Sequence, residues 1–349
     1  MATEGSSAND DPVHVAVTAR RGVIARMLAL VDRPSPVVLV VSTLLATGLI
    51  AAAHVIVWAA GAVQVGTAAP DLVFAGVLIG YFVWFIATLN RVARSSFDDF
   101  RPALGVEAHE AEGFREALTS IPDRVAIISI VVTEALIFIT YYGTVRPTRP
   151  TVEPVTDVVG GALFAVVAAG FALLIVHTIR QLRLISRLSE QARNVDIFKP
   201  APINAFSRLT AVTATGILAF VVLFVLANPD QPLGFILQEL AFIGLAVACF
   251  VLPLRVMHNR LITEKAILVA AGQDRLKTVL GRLHVAVDAN DLSHADQLEK
   301  TLSSVLAERD VLAKLPTWPW SAVTFRGFAS ALLVPVVIFV ITQLIGRLL

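Results

Sequence analysis

The clearest pattern along the chain is a series of hydrophobic runs, each about as long as a membrane-spanning helix. A bilayer core of roughly 30 Å requires about 20 apolar residues in a helix, and none of these runs contains lysine or arginine. The runs lie at 36–60, 72–90, 125–143, 158–179, 209–227, 233–254 and 327–346. The sequence Asn-Pro-Asp-Gln-Pro at 228–232 is typical of a turn and separates the fifth run from the sixth. The pattern predicts an all-α fold, a polytopic integral membrane protein of about seven transmembrane helices, with the first six forming a bundle at 36–254.

Lysine and arginine are unevenly distributed between these runs. Of the 28 such residues, 25 lie before the first run or in the segments that follow the second, fourth and sixth runs. Only Arg146, Arg149 and Arg347 lie in the segments on the other side. Cytoplasmic segments of membrane proteins are enriched in these residues. The distribution therefore predicts a cell-membrane protein with a cytoplasmic amino terminus and an extracytoplasmic carboxyl terminus.

The longest polar stretch, 255–315, carries a repeating apolar stripe. The stripe consists of Ile262, Val269, Leu276, Leu280, Leu283 and Val287, and then of Leu298, Leu302, Val305 and Leu312. Such spacing is typical of amphipathic helices that pack on another helix. The polar residues at 288–291 interrupt the stripe, and Ser293 with Asp296 suits a new helix start. We therefore predict a cytoplasmic antiparallel helical hairpin, which either covers another part of the protein or serves as a stalk for homo-oligomers or a protein partner.

The two ends of the chain carry signals for the membrane surface. Residues 1–35 begin with a small polar segment and continue with four arginines among apolar residues. This predicts a partly disordered segment followed by a basic interfacial helix. At 316–349, Trp318 and Trp320 precede the last run and are predicted to anchor the chain at the membrane interface. Pro319, between them, should end any preceding helix.

Polar side chains inside the hydrophobic runs are the candidate functional residues. Glu134 lies near the middle of the third run, and Tyr141 lies two turns further on. Glu239, beside Gln238, lies in the sixth run, and His54 lies toward the end of the first. A charged side chain at mid-bilayer costs about 2.5–3.5 kcal/mol on insertion scales, so such residues generally face the bundle interior. They either line a path for ions or protons, or form hydrogen bonds between helices.

Composition and motifs exclude several classes of function. The chain is 56% hydrophobic and 16% charged, whereas soluble domains are about 25% charged. No phosphate-binding loop or G-x-S-x-G sequence occurs, and the sequence starting at His109 lacks the second histidine of a zinc protease. No run contains the lysine that retinal would need. His54 and His177 are predicted near opposite membrane surfaces, so they cannot share a haem iron. We expect no cofactor, no metal and no nucleic-acid partner.

Two hypotheses follow for the function. The first is a non-enzymatic membrane protein whose cytoplasmic hairpin, 255–315, serves assembly, partner binding or signalling. The alternative is an ion- or proton-coupled transporter or channel that uses Glu134, Glu239 and His54. A polar cavity reaching Glu134 would favour transport, and a closed bundle would favour the first hypothesis.

Overall fold

The computed structural model describes residues 35–140, 154–192, 195–227, 233–289, 293 and 295–348. Regular structure in this part of the chain is entirely helical, with no strand. The helices are α1 (Ser35–Ala59), α2 (Pro70–Leu104), α3 (Ala108–Thr119), α4 (Asp123–Thr140), α5 (Pro154–Gln191), α6 (Pro200–Ala227), α7 (Leu233–Val251), α8 (Arg255–Asp288), α9 (Ala295–Lys314) and α10 (Ala322–Leu348). A 3-10 turn at Leu252–Leu254 joins α7 to α8.

Helices α2 and α6 form the centre of the bundle. α2 packs on α1, α3, α5 and α6, and α6 also packs on α7 and α10. α2 begins at Pro70, whose fixed φ suits the first turn of a helix. It is followed by Gly105 at φ 66°, the left-handed conformation common just after a helix. The surrounding helices bury the side chains of α2, and Phe82, Phe85 and Phe97 are almost completely buried.

Five helices are long and apolar enough to cross a membrane, as judged by length and composition. They are α1, α2, α5, α6 and the stretch that runs from Ile236 through α8. The described part of the chain is all-helical and has the apolar helices of a multi-pass membrane protein. The third and seventh hydrophobic runs correspond to α4 and α10. The apolar part of α10 with described side chains covers Ala322–Ile338.

Two of these five apolar helices extend well beyond their hydrophobic runs. α5 continues to Gln191, and along this extension Ile185 and Leu188 are fully buried. α7 leads into α8 through the 3-10 turn that contains Pro253. The apolar stripe that follows the fourth run in the sequence predicts the first of these extensions, and the structure confirms it.

The acidic segment after the second run forms the amphipathic helix α3. In α3, Ala111, Phe114 and Leu118 are buried, while Glu110 and Glu112 are exposed. Arg115 bonds to Asp98 of α2 and to Glu112, and these bonds raise the pKa of its guanidinium. Among the described residues, no group of three or more histidine, cysteine, aspartate or glutamate side chains could hold a metal ion.

Helices α8 and α9 pack along each other. Gly272 of α8 faces Leu312 of α9, and Arg275 Nη1 lies 2.7 Å from Glu308 Oε1. On α9, Leu298, Leu302 and Val305 are half-buried and Leu312 is buried. These four residues form the stripe expected from the sequence.

On α8 the contact face differs from the predicted stripe. The buried residues are Met257, Leu261, Gly272 and Val279. Of the predicted stripe, Ile262 and Val287 are exposed, and the other members are half-buried, namely Val269, Leu276, Leu280 and Leu283. At about 100° per residue, the real face is rotated by roughly 60° from the predicted one. The apolar pattern placed the face differently because Gly272, which is buried on it, is not a hydrophobic residue.

Some predicted features lie outside the described residues. These are the basic interfacial helix within 1–34, Tyr141, and the residues 290–292 between α8 and α9.

Candidate functional site

His54 stabilises the connection between α1 and α2. Its Nδ1 lies 2.8 Å from the carbonyl oxygen of Ile50, and its Nε2 accepts the backbone N–H of Ala69 at 2.9 Å. Since Nε2 accepts, Nδ1 carries the proton and donates it to Ile50, so both ring nitrogens are engaged. Trp58 packs against the ring and donates its Nε1–H to Thr67. This arrangement explains why a histidine lies in an apolar helix, and it leaves neither nitrogen for an ion.

Glu239 is the most buried of the predicted carboxyl groups. It is 6% exposed, and its Oε1 has no hydrogen-bond partner in the described structure. Gln238, one residue earlier, is exposed. A buried carboxyl oxygen without a hydrogen-bond donor is unfavourable. Among the predicted side chains that the structure describes, Glu239 is therefore the one whose environment requires an explanation.

Glu134 is half-exposed on α4, which packs on α5. Apolar side chains on the same helix are largely exposed, among them Ile128, Val132 and Leu136. His54, Glu134 and Glu239 thus lie on α1, α4 and α7, which pack mainly on α2, α5 and α6 respectively. The predicted residues are not brought together in one site.

A buried polar group that the sequence analysis did not single out lies between α2, α3 and α5. His177 Nε2 is 2.7 Å from Asn90 Oδ1, and both residues are buried. One turn later, Gln181 donates to the carbonyl oxygen of Leu118 at 2.9 Å. His177 Nδ1, Gln181 Oε1 and Ser96 Oγ are buried and unpartnered within the described structure. Only the spacing of His177 and Gln181, one helical turn apart, could have indicated a shared polar face.

Replacing Asn90 with leucine should destabilise the bundle by about 1–3 kcal/mol, because the His177 Nε2–H would be buried without an acceptor. The double change Asn90→Leu with His177→Phe removes both partners and should cost less than the sum of the single changes. Thermal unfolding of the purified protein in detergent measures the difference. Additive effects would show that the hydrogen bond does not couple the two residues.

Trp318 and Trp320 belong to a column of stacked rings at the base of α8. The His258 and Trp318 centroids are 3.8 Å apart, and those of Trp318 and Trp320 are 4.3 Å apart. Trp320 then stacks on Phe250 of α7, which stacks on Phe328 of α10. The non-helical segment between α9 and α10 includes Pro319, as predicted. The tryptophans therefore join three helices, besides suiting the interface position predicted for them.

Polar contacts attach the α8–α9 pair to the rest of the protein. Arg260 Nη1 donates to the carbonyl oxygen of Ser189 at the end of α5, at 2.8 Å. Lys265 Nζ donates to the carbonyl oxygens of Ala313 and Leu315, each at 2.8 Å. Lys265 thereby satisfies carbonyl groups at the end of α9 that the helix leaves free. These contacts hold the pair in a defined orientation.

The two flanks of the α8–α9 pair differ in polarity. On one flank the charged Arg275 and Glu308 meet across the two helices. Because Arg275 and Glu308 meet, their flanks lie on the same side of the antiparallel pair. The opposite flanks of the two helices therefore also lie on one common side. Those residues include Ile262, Leu280 and Val287 of α8 and Leu306 of α9. We call these four residues the apolar side of the pair.

An apolar cavity of about 70 Å³ lies between α5, α6 and α7. Phe171, Ile217, Phe242 and Cys249 are among the side chains that line it. Glu239 does not line this cavity, so the cavity does not supply a partner for its carboxyl group.

Comparison of the chain with models of known protein families, with curated proteins and with solved structures found no match.

Proposed function

We propose that the protein is a seven-span membrane protein that acts by binding rather than by catalysis, with the α8–α9 pair as a cytoplasmic antiparallel hairpin for protein assembly. The observation that carries this proposal is the apolar side of the pair, where Val287 and Leu306 are 56% and 42% exposed. Contiguous exposed apolar patches mark surfaces that another protein covers.

The two further spans in this proposal are α4 and α10. On α10, exposed apolar side chains such as Leu333 and Val336 suit contact with lipid tails. α4 has a similar apolar surface around Ile128. With both helices counted, the segments rich in lysine and arginine fall on one side of the membrane, as the positive-inside rule requires.

We expect a reporter fused after Leu349 to be extracytoplasmic and one inserted at Asn290 to be cytoplasmic. The two positions are separated by α10, so an odd number of crossings must lie between them in the proposed topology. At each position, one reporter enzyme that is active only outside the cytoplasm and one that is active only inside it together show on which side of the membrane the position lies. Reporters on the same side would contradict the crossing by α10.

Cysteine labelling in open membrane fragments tests whether a protein covers the apolar side. Each variant carries Cys249→Ser, so that the introduced thiol is the only one in the chain. The test variants are Val287→Cys and Leu306→Cys. The matched controls are Val285→Cys and Val311→Cys, which are 69% and 54% exposed and point to other faces of the same two helices.

We expect the two test thiols to react with a maleimide several-fold more slowly than the controls in membranes. The difference should disappear after solubilisation in detergent and dilution, since bound partners then dissociate. Equal rates for all four variants in membranes would overturn the assembly proposal.

Transport is the second candidate function, and the observation that favours it is the buried, unpartnered oxygen of Glu239. If this carboxyl group exchanges a proton during transport, Glu239→Gln should abolish pH-driven flux in liposomes. The half-exposed Glu134 supplies a matched control, because Glu134→Gln should retain that flux. Absence of flux in the wild type across a broad panel of ions would remove this candidate.

A further inference from the structure

We propose that the apolar cavity between α5, α6 and α7 is the inner part of a groove that binds one phospholipid with a net negative headgroup. Part of an acyl chain occupies the cavity, and the phosphate group binds Arg183 and Arg255. The groove is separate from the α8–α9 pair, and it depends on the proposed function only for the orientation of the chain in the membrane.

Helix α6 forms the floor of the groove, and α5 and α7 form its walls. Gly216, Ile217 and Phe220 of α6 line the cavity. α7 packs closely on α6, whereas α5 packs mainly on α2 and α4 and touches α6 only lightly. On the two walls, Ile179 of α5 and Leu245 of α7 line the cavity and are 43% and 38% exposed. The cavity therefore opens to the outer surface of the bundle between these two side chains.

The depth of the cavity places its opening against lipid tails. The cavity is lined almost entirely by apolar side chains, and its wall residues lie at 171–179 on α5 and 242–249 on α7. In the proposed topology the fourth and sixth hydrophobic runs both end at the cytoplasmic face, so the opening faces the acyl chains of the cytoplasmic leaflet. A void without neighbouring atoms loses dispersion contacts, which hydrocarbon from the bilayer restores. A volume of about 70 Å³ accepts a segment of one acyl chain.

An exposed arginine lies at the cytoplasmic end of each wall. At about 100° per residue, Arg183 lies one turn beyond Ile179 on nearly the same face of α5. On the other wall, Leu252 lies two turns beyond Leu245 on the same face. Arg255 follows Leu252 by one 3-10 turn, in which the Arg255 N–H donates to the Leu252 carbonyl oxygen. Side chains three residues apart in such a turn eclipse each other, so both arginines lie along the edges of the opening.

The two arginines lie at similar depths in the membrane. The contact of Arg260 with the carbonyl oxygen of Ser189 brings α8 and the end of α5 to a common level. Arg183 precedes Ser189 by six residues, and Arg255 precedes Arg260 by five. Because α5 and α7 run in the same direction in the proposed topology, a rise of about 1.5 Å per residue leaves Arg183 and Arg255 level to within several ångströms.

The charge at this end of the groove suits an anionic headgroup. Guanidinium groups bind phosphate oxygens through paired, charge-assisted hydrogen bonds, and basic residues beside the membrane attract anionic lipids of the cytoplasmic leaflet. Within the described part of the chain, neither Arg183 nor Arg255 has an ion-pair partner. Arg187 adds positive charge one turn beyond Arg183. The first carboxylate along this face of α5 is Glu190, about 10 Å beyond Arg183 and further from the bilayer.

Native mass spectrometry of the full-length chain in detergent tests the preference for a charged lipid. The probes are a phosphatidylglycerol, a phosphatidylcholine with the same acyl chains, and glycerol phosphate, which carries the charge without the chains. We expect the first phosphatidylglycerol adduct at a several-fold lower concentration than the first phosphatidylcholine adduct, and no glycerol phosphate adduct in that range. Equal binding of the two lipids would overturn the inference, and so would glycerol phosphate that binds as tightly as phosphatidylglycerol.

Removing the two arginines tests where the headgroup binds. Arg183→Gln with Arg255→Gln should raise the half-saturating concentration of phosphatidylglycerol by on the order of tenfold. The matched control is Arg208→Gln with Arg326→Gln. These two arginines are also exposed and directly precede the fifth and seventh hydrophobic runs, but neither lies on a wall of the groove. If both double variants weaken the binding equally, only the total charge matters and the assignment of the headgroup to the groove is wrong.

Blocking the opening tests whether an acyl chain enters the cavity. Leu245→Trp places a larger side chain at the opening and should lower the occupancy of the first phosphatidylglycerol adduct several-fold. The matched control is Leu240→Trp, because Leu240 is 58% exposed and lies about 180° around α7 from Cys249, which lines the cavity. Equal occupancy in the two variants would show that no acyl chain enters. Lipid adducts and maleimide labelling of the α8–α9 pair report on different surfaces, so this inference and the assembly proposal can fail separately.

Discussion

Replacing Gly216 with valine is expected to disrupt the packing of the two central helices, α2 and α6. A β-carbon at Gly216 would overlap the ring of Phe85, which is 2% exposed. The ring cannot move aside easily, since it stacks on Tyr81 with a centroid distance of 5.6 Å. Tyr81 also donates its hydroxyl to the carbonyl oxygen of Gly216. Overpacking typically costs about 1–3 kcal/mol, and we expect the upper end of that range or more here.

The measurement is thermal unfolding in detergent, followed by the loss of the monodisperse peak in size-exclusion chromatography. Gly244→Val is the matched control, because a β-carbon at Gly244 in α7 meets no heavy atom within 4 Å. Gly76→Val should be intermediate, since the new side chain meets mainly the side chain of Ile50, which can change rotamer. If Gly216→Val and Gly244→Val unfold at the same temperature, the close approach of α2 and α6 is not essential.

Hydropathy was sufficient to predict the helices because a bilayer demands only length and apolarity from a spanning segment. It did not predict that α2 occupies the centre, since the run at 72–90 resembles the others in composition. α2 differs from the other apolar helices in its burial, since its aromatic side chain Phe82 contacts Phe171 of α5 and Phe220 of α6. Such information lies in pairs of residues far apart in the chain, which a single sequence does not reveal.

The contacts of the polar residues could not be predicted from a single sequence either. His54 was identified as unusual from its position in a hydrophobic run, but its acceptor role depends on the backbone N–H of Ala69, which any residue except proline could supply. Asn90 and His177 lie 87 positions apart, at the ends of two different runs. Neither was recognised as one half of a buried pair. Periodicity identifies the face of a helix, whereas the partner of that face depends on tertiary packing.

The second large effect is expected from placing a carboxylate between α8 and α9. Leu312 is 3% exposed and lies against Gly272, so Leu312→Asp would bury a carboxylate between the two helices. An unpaired polar group in such a site costs about 1–3 kcal/mol, and a charge costs more. Leu276→Asp and Leu302→Asp should have smaller effects, because both side chains are only half-buried.

Limited proteolysis of the protein in membranes measures the separation of the two helices. Trypsin sites at Lys300 and Arg309 lie on α9, and a helix that opens more often is cut faster in proportion to the population of the open state. A destabilisation of about 3 kcal/mol corresponds to a rate increase on the order of 100-fold. Val311→Asp is the matched control, since the adjacent side chain is 54% exposed and gains the same charge without burial. Equal cleavage of the two variants would mean that α9 is held by its ends, through Lys265 and the connection to α10, and not by the face that carries Leu312.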